Sequence, residues 1–185
     1  MIEIVKISNE NYTDLHKANQ PFTIIGRLEI TFTNGHFAYR EQLSEIHTRK
    51  HYPDYDGATA DDYIESNDRA AYFAYCDGNC VGQLLLAKTW NGYAHIEDIS
   101  VAENYRGNGV GSALLNQAYQ WAEEQQLSVF SIECQDNNIV ASRFFQKNGF
   151  SIGGVNTELY KQLGKPYADE TAVFWYKAMD GAENV

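Results

Sequence analysis

Long apolar runs are missing from this 185-residue chain. The best, Val81 to Ala87, is interrupted by Gln83 and falls far short of the ~20 residues a membrane helix needs, so no membrane partner is expected. The opening residues, MIEIVKISNENY, hold no basic segment followed by an apolar stretch, so no secretion signal is expected. Cysteine is scarce: three residues make no disulfide framework, and an odd count leaves one over. Cys76 and Cys80 flank Asp77-Gly78-Asn79, a spacing open to a redox pair or metal half-site but better suited to two strand residues beside a hairpin turn. No metal is expected, because His47 and His51 have i, i+4 spacing without a carboxylate or third histidine to complete a ligand set. Positive charge is also in short supply. Fourteen Lys and Arg stand against 25 Asp and Glu, a formal net charge of −11, which argues against nucleic acid as a partner. Repeats and low-complexity tracts are absent. The composition points to a cytoplasmic, soluble protein, and a monomer or homodimer is expected.

Apolar residues make up 44% of the chain and charged residues 21%, the balance of a globular protein with a real core. Acid is concentrated in one place: Asp54, Asp56, Asp61, Asp62, Glu65 and Asp68 lie together, with only Arg69 close behind. A solvated helix face explains the cluster as well as a binding role does.

Elements follow from pattern. Phe22 to Thr33 alternates loosely, Asn34-Gly35 is a hairpin turn, and Phe37 to Glu45 returns beside it. His47 to Pro53 is polar and aromatic, Tyr52-Pro53-Asp54 is expected to break any preceding element, and a short helix is expected over Ala60 to Ser66. Ala70 to Cys76 and Cys80 to Ala87 form a β-hairpin. Tyr93 to Val101 is a strand, followed by a glycine-rich loop and a helix whose Leu114, Ala118, Trp121 and Ala122 share one face. Leu127 to Glu133 is a strand. Asn137 and Asn138 are cap residues for a second helix, with Val140, Phe144 and Lys147 on one face and Asn148-Gly149 ending it. Phe150 to Tyr160 and Ala172 to Met179 complete a mixed α/β domain.

The loop RGNGVG, Arg106 to Gly111, carries the first chemistry. Its glycines let backbone approach a ligand, and the helix that follows offers unpaired N–H groups and a positive dipole end, a geometry suited to pyrophosphate. Arg106 would add a charge-assisted contact. Two common phosphate loops are excluded by spacing. A dinucleotide fingerprint from Gly107 would need glycine where Ser112 stands, and a P-loop would need a lysine that is missing.

Arg106-Gly107-x-Gly109-x-Gly111 after IEDISV resembles the acetyl-CoA pyrophosphate loop of the GNAT superfamily of N-acetyltransferases, and DNNIVASRFFQKNGF (Asp136 to Phe150) is similar to that superfamily's second motif. Together they cover about residues 70 to 180. Within the superfamily the sequence resembles the streptothricin N-acetyltransferases, through Trp90-Asn91, Glu97-Asp98-Ile99, Val101, RGNGVG, Glu133 with QDNN, and Thr157-x-Leu159-Tyr160. PFTIIGR, the acidic stretch before Tyr63-Ile64, and Ala172 to Tyr176 extend the likeness over nearly the whole chain. The resemblance implies a single acetyltransferase domain over residues 1–185, with an N-terminal extension of 1–35. It implies the GNAT fold, a splayed, mostly antiparallel central sheet flanked by helices. It places pantetheine on backbone near Ile99 and Val101. The pyrophosphate is expected on Arg106, Gly107, Asn108, Gly109, Val110, Gly111 and Ser112, and further cofactor contacts at Asn137, Asn138 and Phe145. The expected acceptor is a cationic small-molecule amine, the β-lysine amino group of streptothricin. Another cationic amine, or a non-catalytic acyl-CoA-binding role, is the alternative.

Amide formation from a thioester needs a neutral amine, and an alkyl ammonium has a pKa of ~10.4, so deprotonation at pH 7 costs about 4 to 5 kcal/mol. A carboxylate can take that proton. Glu97 and Asp98 are strand neighbours and are expected on opposite faces. The resemblance favours Glu97 as base, leaving Asp98 to fix a loop or bind substrate; a structural hydrogen bond is the bland alternative for either. Many members use a tyrosine as acid where Phe145 stands here, a departure that shifts the role to Tyr160, which a core strand tyrosine would equally explain. Cys134 reads as a small buried residue. The acidic stretch, with Asp54, Asp56, Asp61 and Asp62, together with Trp90 and Glu133, is expected to meet the cationic substrate.

Overall fold

A computed structural model describes residues 1–53 and 59–179. The described residues divide into two compact units, one from Met1–Phe22 and His51–Val129, the other from Thr23–Lys50 and Phe130 onward.

The first unit is built on β1 (Ile2–Lys6), β4 (Arg69–Cys76), β5 (Asn79–Lys88) and β6 (Ala94–Val101), neighbours in that order and antiparallel throughout. The β4–β5 hairpin turns on Asp77 and Gly78, both with positive φ, as expected of a tight two-residue loop. Tyr75 stands opposite Cys80 and Cys76 opposite Asn79, so the two cysteines point to opposite faces and remain free thiols. On one face, Tyr63 of the short helix α1 (Asp61–Ile64) packs with Ile7, Ala71, Phe73 and Leu85. Across the other lies α2 (Val110–Glu124), which buries Leu114, Ala118, Trp121 and Ala122 as the sequence predicts, with Val110 and Leu115 besides. The helix comes close because β5 carries Gly82: a Cβ there would sit 2.8 Å from Val110 Cγ1 and 3.0 Å from Leu114 Cδ1. β5 reads as a nearly continuous apolar run because it is central and covered on both faces. Gln83, the residue that interrupts it, is only 1% exposed.

In the second unit β2 (Phe22–Thr33) and β3 (His36–Lys50) form a long two-stranded hairpin across Asn34-Gly35. β3 runs on past Glu45 to Lys50 and ends short of Tyr52-Pro53, the expected break. Most of its residues face solvent, so no apolar alternation marks it. β7 (Val129–Gln135), β9 (Ala172–Ala178) and β8 (Ser151–Asn156) are sheet neighbours in that order. β8 ends at Asn156, so residues 157–160 leave the sheet instead of continuing the strand. Helix α3 (Ile139–Lys147) is capped by Asn138, whose side chain accepts from Ala141 N–H, and is closed by Phe150 N–H donating to the Phe145 carbonyl at 3.0 Å. Its buried stripe is Ile139, Ser142 and Phe145, not Val140, Phe144 and Lys147. The polar Ser142 disguised the true face; its hydroxyl donates to the Asn138 carbonyl at 3.0 Å. The mixed α/β class, with mostly antiparallel sheet flanked by helices, is as expected.

Candidate functional site

The glycine loop is shaped from behind by Arg106. Its guanidinium donates from Nε to the Val101 carbonyl, from Nη1 to that of Pro21 and from Nη2 to that of Gln20, each at 2.8 Å. These three contacts fix the side chain behind the loop. Gly107 and Gly109 have φ of +77° and +86°, conformations that side chains rarely adopt, and a Cβ at either would meet nothing within 4 Å. α2 therefore begins at Val110, two residues before the expected Ser112. The first bond of the helix is Ala113 N–H to the Gly109 carbonyl at 3.0 Å. The N–H groups of Val110, Gly111 and Ser112 thus have no acceptor within the helix. No acidic side chain lies in the first turn. These amides and the dipole end make an anion cradle. Asn108 lies in the loop, its amide donating to the Arg106 carbonyl at 3.3 Å. Leading into it, Ile99 and Val101 stand opposite Leu84 and Gly82 of β5.

The two β6 carboxylates depart from the expected alternation. Leu85 stands opposite Asp98 but Leu86 opposite Ile96, so Glu97 is the extra residue of a β-bulge. The bulge turns both carboxylates to the face of Tyr63, Phe73 and Leu85, correcting the expectation of opposite faces. Glu97 Oε2 accepts from Tyr63 Oη at 2.9 Å, and Oε1 lies 3.5 Å from Arg69 Nη2. Asp98 Oδ2 accepts from Gln83 Nε2 at 2.6 Å and from Ser100 Oγ at 3.0 Å. Gln83 Oε1 in turn accepts the His16 N–H at 2.7 Å. A glutamine inside an apolar strand is the one sequence signal that a buried polar partner was to be found here.

The second unit holds another polar cluster. Tyr160, buried in the segment after β8, donates to Glu133 Oε1 on β7. Burial pushes the Glu133 carboxyl above its usual range, while Tyr160 and Lys50 draw it back. Lys50 donates to both oxygens of Glu170 at 2.6 Å, and Asn137 Nδ2 donates to Glu170 Oε1 at 2.9 Å. Asn137 Nδ2 therefore faces this cluster while its Oδ1 is buried without a hydrogen-bond partner, and the Asn138 side chain caps α3. Phe145 is 3% exposed and packs against Phe144, Phe150 and Trp175. It is a core ring, which explains why a hydroxyl is missing there. Lys50 and Glu170 gave no sequence signal, being far apart and unremarkable in their local patterns.

Trp90 is 98% exposed beyond the end of β5. Asp61 is exposed, and Asp62 accepts from Thr59 N–H at 2.6 Å and Thr59 Oγ1 at 2.9 Å, bonds that hold its carboxyl below the usual range. Asp54 and Asp56 lie outside the described residues. Cys134 is buried and its thiol pushed up to about 12 by that burial, which makes it a poor nucleophile. Among the described residues, no group of three or more His, Cys, Asp or Glu is placed to hold a metal ion, and no helix is long and apolar enough to cross a membrane.

Residues 38–150 match the acetyltransferase (GNAT) family. The chain belongs to the GNAT family. This acetyltransferase is 42% identical over 173 residues to streptothricin acetyltransferase A of Bacillus subtilis, covering 94% of this chain and 98% of that protein. A crystal structure assigned as a streptothricin acetyltransferase of Bacillus anthracis, in complex with acetyl coenzyme A, superposes with a TM-score of 0.87 at 31% identity, over 97% of this chain and 100% of that one. The crystal structure of nourseothricin acetyltransferase gives 0.80 at 25% identity, over 96% and 98%. The protein is an N-acetyltransferase that uses acetyl-CoA. The three helix-opening amides, the acid-free first turn and the open space over Gly107 and Gly109 fit the pyrophosphate of that cofactor.

Proposed function

We propose that this acetyltransferase acetylates an amino group of the β-lysine moiety of streptothricin, by direct transfer in a ternary complex, and so confers resistance to the antibiotic. The observation that carries the reading is the near-full-length likeness to streptothricin acetyltransferase A. Bound acetyl-CoA supplies the activated acetyl thioester. The amides of Val110, Gly111 and Ser112, with the backbone of residues 107–109, hold the pyrophosphate, and the backbone of Ile99 and Val101 aligns the pantetheine arm.

Glu97 is the proposed base. An alkyl ammonium must lose a proton at a cost of about 4 to 5 kcal/mol at pH 7, and Glu97 receives it directly or through water. Tyr63 and Arg69 keep its carboxylate in one orientation. Asp98, fixed by Gln83 and Ser100, attracts the cationic acceptor. Tyr160 is the proposed acid, its proton held on Glu133. Once that proton has passed to the departing thiolate, a Glu133 carboxyl raised by burial is suited to resupplying the Tyr160 oxygen. Asp61 and Trp90, both exposed, are open to an arriving polycation.

Thiol release from acetyl-CoA with streptothricin, an aminoglycoside, a polyamine and a lysine peptide tests the reading. Streptothricin is expected to be the preferred acceptor, with one acetyl group located on its β-lysine by mass spectrometry. Efficient release with another amine and none with streptothricin overturns it.

A further inference from the structure

The second unit contains a cleft of about 170 Å³ lined by Leu28 and Ile30 of β2, Val155 of β8, Thr157, Thr171 and Asp136. That is far more than the ~10–15 Å³ one water needs, so a group of several atoms can enter. Its walls are aliphatic and its rim carries two threonines, but it contains one full charge, Asp136, which is 4% exposed. The chain clasps this residue from both sides. Asp136 N–H donates to the Thr171 carbonyl at 2.9 Å, Leu28 N–H to the Asp136 carbonyl at 2.8 Å, and Thr171 N–H to Asp136 Oδ1 at 3.1 Å. The second oxygen is served less well. Arg27 Nε lies 3.6 Å from Oδ2, too far for a good hydrogen bond, and Arg27 Nη2 donates instead to the Asp169 carbonyl at 3.3 Å.

Charge around the cleft is unbalanced. Lys50 is held by both oxygens of Glu170. Asp136 is left with one loosely placed guanidinium, that of Arg27, as its close cation. Burial pushes the Asp136 carboxyl up, as it does when charge lacks solvent and a close counter-ion. No lysine or arginine lines the cleft.

We propose that this cleft is a cation subsite that takes a non-reacting ammonium or guanidinium group of the acceptor on Asp136 Oδ2, with the attached carbon skeleton against Leu28, Ile30 and Val155. The proposal rests on the reading of the acceptor as a polycation. It assigns the cleft to binding and discrimination, leaving proton transfer to other residues. A monocationic amine gains nothing from it, whereas an acceptor with a second cation at the right reach does.

Two variants test it. Asp136→Asn keeps an acceptor for Thr171 N–H and removes the charge; Val155→Lys places a cation on the half-exposed rim. With streptothricin as acceptor, each is expected to raise its KM at least tenfold, with kcat within threefold and the KM for acetyl-CoA unchanged. The second readout does not need acetylation. Methylguanidinium and methylammonium are titrated separately into the wild-type protein while the amide signals of Thr157 and Thr171 are followed by NMR. Saturable shifts in the wild type, lost in both variants, support the subsite, and the stronger of the two cations identifies the group it prefers. Equal titrations in wild type and Asp136→Asn overturn it, even if streptothricin is acetylated. Saturable, Asp136-dependent binding in a protein that leaves streptothricin unmodified supports the subsite and overturns the proposed substrate.

Discussion

Replacing Lys50 by methionine isolates the most buried ion pair in the described residues. Lys50 and Glu170 have side chains 7% and 4% exposed, and the ammonium contacts both carboxylate oxygens at 2.6 Å. Methionine preserves the length and apolar stem of lysine but leaves Glu170 with only the Asn137 amide as donor. Breaking a buried pair from one side costs about 3–5 kcal/mol, whereas an exposed pair is worth about 0–1 kcal/mol. For a chain of this size about 2–4 °C of Tm accompanies each kcal/mol, so Lys50→Met is expected to lower Tm by about 6–20 °C. Urea denaturation gives the free energy directly. The double variant Lys50→Met, Glu170→Gln removes both charges and is expected to recover most of the loss, because the penalty belongs to the stranded carboxylate and not to the missing contact. A single-variant loss below about 1 kcal/mol would refute the reasoning, by showing that water reaches Glu170 as it reaches a surface acid.

Three further outcomes follow from the site. Ser112→Asp puts an anion on an exposed position in the first turn of α2; Tm is expected to hold or rise slightly through the helix dipole while the KM for acetyl-CoA rises at least tenfold, and an unchanged KM would show that these amides hold no phosphate. Glu97→Gln is expected to lower kcat by about 10²–10⁴, so near-normal kcat sinks the assignment of the base. Glu133 has a folded-state pKa above its unfolded one, so its contribution to stability is fully present below the usual glutamate value of about 4.3 and is lost as pH rises through the raised value. Urea midpoints of wild type and Glu133→Gln are therefore expected to diverge across that window, and parallel curves would remove the burial argument.

What the sequence disclosed was local. The hairpin at Asp77-Gly78, the apolar face of α2 and the loop RGNGVG are each written in fewer than about twenty neighbouring residues, where turn chemistry and period dominate. The remainder depends on partners that spacing does not reveal. Arg106 stands out in the loop, but that it donates to the carbonyls of Gln20 and Pro21, more than eighty residues earlier, is visible only in the fold. Parity placed Glu97 and Asp98 on opposite faces, and no glycine or proline beside them announces the bulge that defeats it. The end of β3 beyond Glu45 escaped because a strand washed by solvent on most positions has no apolar rhythm to display. The Lys50–Glu170 pair spans 120 residues, and only the folded chain makes a surface-type lysine a buried one.

Gly82 carries a consequence for the amide cradle two layers away. Val110, the first residue of the helix and the owner of one of the three open N–H groups, rests its methyl where a side chain at position 82 would have to go. The height of the cradle above the sheet is thus set by hydrogen's small radius at one position of β5. One added carbon there would lift the mouth of the helix without altering a single residue of the loop, so drift at this buried position can detune an enzyme whose visible motif is intact.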